Sequence, residues 1–161
     1  MAHQFGEKLR YLRLQRGLTQ TELAHQLQLS SHSHVNNLEA GRRAPSLTVV
    51  LQVAAIFGVT TDYLLRDRAT GAALQAEPRS LPSGSPATLF RQKLRHLRKQ
   101  RKLTQTELSA RLALRTQAHI SLLESGRSEP SLEFVLQLAD FFAVPTDYLL
   151  QDSIPVEGGK A

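Results

Sequence analysis

His32, Ser33, Asn36 and Asn37 are the residues whose chemistry stands out first. An asparagine side chain holds a donor and an acceptor side by side, the pattern that pairs with the exposed edge of adenine. Serine and histidine can bond a base edge or a phosphate oxygen. Arg42 and Arg43 follow closely, two guanidinium groups suited to phosphate. Eighty-five positions on, the set returns in altered form. Gln117, Ala118, Ser121 and Leu122 take the four places, and Arg127 takes that of Arg42. Leu122 cannot hydrogen-bond, but a leucine can pack against a thymine methyl. Two surfaces of different base preference are therefore expected. Gln20 and Gln105 lie upstream, each at the predicted start of a helix, where amides and the positive dipole end favour an anion.

Such side chains work only if an element thin enough for a DNA groove carries them, braced from behind. Residues 20–41 supply both parts. T-Q-T-E is a capping box, with Thr19 bonding the Glu22 amide and Glu22 reaching back; Thr104 and Glu107 repeat it. Leu23 and Leu27 mark the inner face of the helix that follows. A turn is expected around 29–32, then a third helix over 33–40 that buries Val35 and Leu38 and stops at Gly41. Its opposite face then falls to Ser33, Asn36 and Asn37, with His32 just ahead. A short capped helix, a turn and a second short helix with polar residues outward make a helix-turn-helix pattern.

The flanking segments complete the unit. A first helix over 4–16 aligns Phe5, Leu9 and Leu12. Ser46 caps a fourth helix running to Phe57, with Leu47, Val50, Leu51 and Ala54 as its inner stripe, and Gly58 ends it. T-T-D-Y-L-L forms a last short helix. No stretch alternates convincingly as a strand, so the predicted fold is all-α.

Residues 5–67 and 90–152 align without a gap and are identical at 36 of 63 positions, an internal duplication. The organisation expected is a domain over 1–67, a linker over 68–89, a second domain over 90–152 and a frayed tail over 153–161. Pro78, Pro82, Gly84 and Pro86 mark the linker, whose first half, 69–77, has the makings of a short helical extension. With 161 residues and 41% hydrophobic composition, two small domains can each bury a core. A net charge of +6 suits a polyanion. Zero cysteines exclude a disulfide scaffold and a cysteine-based zinc site. The absence of a long apolar run or a signal-like N-terminus gives the expectation of a soluble, cytoplasmic, nucleoid-associated protein with no membrane partner.

As a set, the motifs L-R-x-x-R-G-L-T-Q-T-E-L-A, V-N-N-L-E-A-G-R, P-S-L and T-D-Y-L-L make both halves resemble the Cro/Xre family of phage and bacterial repressors. The resemblance implies a five-helix domain, binding to double-stranded DNA and sites of two-fold symmetry. It also implies an ion pair between helices one and three, at the positions of Arg13 with Glu39 and Arg98 with Glu124. Each half departs from the family in one place. Between Leu29 and Val35, and between Leu114 and Ile120, it carries one residue more than is usual. Either the turn is longer or helix three starts earlier.

Plainer readings compete with some of these. His25, His32 and His34 lack a carboxylate or cysteine beside them, so turn or groove-facing roles are expected and no metal. Arg91, Lys93, Arg95, Arg98, Lys99, Arg101 and Lys102 form a basic face on the first helix of the second repeat, read equally as a solvated face or a distal phosphate contact. No nucleophile elbow, phosphate-cradling loop or paired-carboxylate motif is present, so neither an enzyme nor a cofactor is expected. No effector-sensing domain is visible. The partner expected is double-stranded DNA, bound as a homodimer or by one chain mimicking a dimer. A linker of 22 residues spans about 25 Å as a coil and up to about 70 Å extended, against half-sites about 34 Å apart. Two alternatives stay open. One repeat binds DNA while the other, with Leu122 exposed, dimerises; or the chain is a protein-interaction module of antitoxin or anti-repressor type.

Overall fold

The computed structural model describes residues 2–66, 89–114, 116–151 and 156. Ten α-helices and no strand occur among them. The first unit holds α1 (Ala2–Gln15), α2 (Gln20–Gln26), α3 (His32–Glu39), α4 (Leu47–Phe57) and α5 (Thr61–Leu65). The second holds α6 (Phe90–Gln100), α7 (Gln105–Arg111), α8 (Ala118–Ser125), α9 (Leu132–Phe142) and α10 (Thr146–Leu150). The chain divides between Ser83 and Gly84 into two compact units. The helical extension over 69–77 lies outside the described residues, as do the linker apart from Leu89 and the tail apart from Val156.

Each unit closes on its own apolar set. In the first, Phe5, Leu9, Leu23, Val35, Val50 and Leu64, from all five helices, are fully buried. Phe90, Leu94, Leu108, Ile120, Val135 and Leu149 fill the corresponding places in the second with at most 2% exposure. At about 25 cal/mol per Å² of apolar surface withdrawn from water, these side chains are the main favourable term of each fold.

Side-chain caps set the helix starts. Thr19 and Glu22 form the full reciprocal capping box on α2, and Thr104 with Glu107 does so on α7. Ser46 and Ser131 accept from the amides of Val49 and Phe134 to start α4 and α9. The ends differ more from expectation. Helix α1 begins two residues before the predicted start because Ala2 and His3 continue its turn. Helix α2 stops at Gln26, earlier than a turn at 29–32 requires, because Gln28 takes a left-handed φ of 52°. Ala113 does the same in the second unit. Helix α3 then starts at His32, one residue before the equivalent start of α8 at Ala118.

Two substitutions between the repeats alter the packing. A Cβ on Gly6 would stand 2.4 Å from the Leu38 carbonyl oxygen and 2.6 Å from that of Glu39, so α1 meets the end of α3 backbone to backbone. The equivalent residue of α6 is Arg91. Helix α4 ends on Gly58 at φ 67°, whereas α9 ends on Ala143 at φ 54°, a conformation that costs an L-residue energy.

Candidate nucleic-acid interface

Helix α3 is short and two-faced. Val35 and Leu38 are buried at 0% and 1%, which pins one side to the core. His32, Ser33 and Asn36 are exposed on the other side, and Asn37 is half-buried. Helix α8 is pinned in the same way by Ile120 and Leu123. It exposes Ala118, Ser121 and Leu122, the last at 41%, with Gln117 just before its start. The Gln117 carboxamide oxygen accepts from the Thr106 hydroxyl on α7. His119 leaves this face: its ring meets Phe134 edge-on at 5.0 Å.

One polar node holds each of these helices. Glu39 closes α3 and receives Arg13 through both carboxylate oxygens, at 2.6 Å from Nε and 3.1 Å from Nη2. Arg13 Nη1 also donates to the Leu18 carbonyl at 2.8 Å, tying down the α1–α2 turn. Gln20 donates to Glu39 at 2.8 Å from the first turn of α2. The second unit repeats the arrangement with Arg98, Glu124, Leu103 and Gln105, at 2.6 and 2.9 Å for the ion pair and 3.0 Å for Gln105. Both carboxylates are 5% exposed. Burial pushes the Glu124 carboxyl up, but hydrogen bonds from Arg98 and Gln105, with the charges of Arg98 and Arg95, outweigh it and hold the group below its ordinary value. The bidentate geometry fixes angle as well as distance, so α3 and α8 are oriented against two other helices at once.

The side chains of Gln20 and Gln105 therefore face this node. What they bring to the front of α2 and α7 is their backbone amides. Arg42, Arg43 and Arg127 are exposed just past α3 and α8. Their amides fold back onto the Asn37 and Leu122 carbonyls at 3.0–3.3 Å, which sets where the guanidinium groups emerge.

The basic face expected on the first helix of the second repeat divides in two. Lys93 is fully buried, donates to the Gln151 carbonyl at 2.6 Å and lies 5.1 Å from the Tyr148 ring centroid. Arg98 belongs to the ion pair, and Arg101 donates to the Phe141 and Phe142 carbonyls that end α9. These three bind other parts of the fold, although Arg101 stays exposed; Arg91, Arg95, Lys99 and Lys102 also face solvent. Lys8 in the first unit bonds the Tyr63 and Arg66 carbonyls at 2.5 Å each, so a lysine tying the first helix to the end of the last recurs in both repeats, half-buried in the first and fully buried in the second. Its signal in the sequence was its helical spacing with Phe5 and Leu9, which puts it on the inner face.

No helix among the described residues is long and apolar enough to cross a membrane. A family model described as helix-turn-helix matches the chain twice, over residues 9–64 and 94–149. No curated protein and no solved structure matches it.

Proposed function

The chain belongs to the Cro/C1-type helix-turn-helix family of DNA-binding transcription regulators, and we propose that it acts as a sequence-specific one, reading the major groove of double-stranded DNA with α3 and α8. The observation that carries this reading is the pairing of a rigid mount with an uncommitted polar face. Helix α3 is pinned by Val35, Leu38 and the Arg13–Glu39 pair, yet it turns His32, Ser33 and Asn36 to solvent. A helix held on two sides and polar on the third is what readout of base edges requires. Asn36 and Asn37 are assigned to adenine edges. His32 and Ser33 flank them. Gln117, Ala118, Ser121 and Leu122 form the second, more apolar reader. Phosphates are assigned to Arg42, Arg43 and Arg127 and to the backbone amides of Gln20 and Gln105.

The test is a full-length variant with alanine at Asn36, Asn37, Arg42 and Arg127, titrated against duplex DNA and checked for helicity. One good base contact is worth about 1–3 kcal/mol, so the combined change is expected to weaken binding at least about 100-fold with helicity retained. Unchanged binding by the folded variant would sink the reading. One observation favours the rival class. Leu122, exposed at 41% on the outer face of α8, suits an apolar protein surface as well as a thymine methyl. If α8 serves a protein partner or a second chain, alanine at Ser121 and Leu122 abolishes that association and leaves DNA affinity alone.

A further inference from the structure

Of the exposed cations of α6 and the turn after it, only Arg95 has a charged counterpart in the first repeat, Arg10. Arg91, Arg95 and Lys99 recur every four residues, and at about 100° per residue they fall within an arc of about 80°. Lys102 extends the row into the α6–α7 turn, at φ 53°. The equivalent positions of the first repeat are Gly6, Arg10, Leu14 and Gly17, with one charge among them. Leu14 is 58% exposed, so that face of α1 sets an apolar side chain where α6 has Lys99.

The row is placed beside the reading helix of its own unit. Arg91 lies against the end of α8: its Nη1 is 2.7 Å from where a Cβ on Gly126 would stand. The charge of Arg95 acts on Glu124, the carboxylate that closes α8. Arg98, about 20° from Arg91 on the side away from Arg95, is ion-paired to that carboxylate. So the Arg91 edge of the row is turned toward the C-terminal edge of α8, where Arg127 also emerges, and Arg95 and Lys99 step away from it across the exposed face of α6. In helix-turn-helix docking that edge borders the phosphate backbone.

We infer that Arg91, Arg95, Lys99 and Lys102 form a phosphate track that makes the second repeat the stronger electrostatic anchor of the chain on DNA; the first repeat has Arg42 and Arg43 but no such track. The inference rests on the DNA-binding reading above. It assigns the two repeats unequal work. The second, whose α8 offers Ala118 and Leu122 where α3 offers Ser33 and Asn37, contributes sequence-independent grip; the first contributes more of the base choice.

The test uses the full chain and the salt dependence of its affinity for duplex DNA. Each neutralised phosphate contributes a slope of about −0.9 in log K against log salt concentration. Replacing the four residues with glutamine (R91Q, R95Q, K99Q, K102Q) is expected to make the slope shallower by about 2–4. A charge-preserving variant (R91K, R95K, K99R, K102R) is expected to keep it, which separates charge from any effect on folding. Arg10→Gln in the first repeat is expected to change it by less than about 1. A glutamine variant that binds with a slope within about half a unit of the parent overturns the track while leaving the DNA-binding reading in place. A parent chain that binds no duplex at all overturns both.

Discussion

Glu124 and Arg98 show how much rests on single side chains. Their ion pair joins α6 to α8, and the carboxylate is 5% exposed. Removing the arginine strands a charge away from water at a cost of about 3–5 kcal/mol, a large part of what a unit of this size has. Arg98→Ala is therefore expected to unfold the second repeat under mild denaturant, read as an early transition in circular dichroism. Acid should act on the same pair. The folded Glu124 carboxyl titrates below its ordinary value of 4.5. Its contribution is fully present above that value and is lost as pH falls through the lower folded one. Glu22 and Glu107, lowered mainly by the Thr19 and Thr104 amides, shift stability the same way. Melting temperature should drop steeply below about pH 4.5, and Glu124→Gln should flatten part of that drop. A melting temperature level through that range would contradict the assignment.

Among the elements, the duplication itself provides controls. Helix α9 ends on Ala143 in a left-handed conformation where α4 ends on Gly58. Ala143→Gly should stabilise the second repeat by about 0.5–1 kcal/mol, the strain relieved less the chain entropy that glycine adds. Denaturant titration checks it, and a destabilised variant would mean that the Ala143 methyl packs usefully. The same comparison shows what was legible in the residues. Thr19–Glu22 and Thr104–Glu107 announced the starts of α2 and α7 because a capping box is local chemistry, written within four residues. The buried stripes of α3 and α4 were legible through their helical spacing. The end of α2 was not, because Gln28 and Ala113 enter the left-handed region without a glycine to mark it. Nor was the division of the basic face. Lys93 and Lys99 look alike in sequence, and only the position of α10, whose closing Gln151 carbonyl takes Lys93, separates them. The engagement of Gln20 and Gln105 with the glutamates belongs to the same class, since it depends on three helices meeting.

Across the whole molecule, two helix-turn-helix units stand in one chain, and the residues they turn outward differ. The proposal is that the tether between them lets a single chain occupy two half-sites, raising the local concentration of the second unit once the first is bound. Unequal readers imply an unequal site: a half read through asparagine and an adjoining half read through small and apolar contacts. A two-fold symmetric site would suit two chains better than one. Selecting bound sequences from random duplex DNA with the full-length protein tests this most directly. The account predicts enrichment of a bipartite site with two unlike halves at a fixed spacing, adenine-rich where α3 docks. Recovery of unenriched random sequence would contradict it.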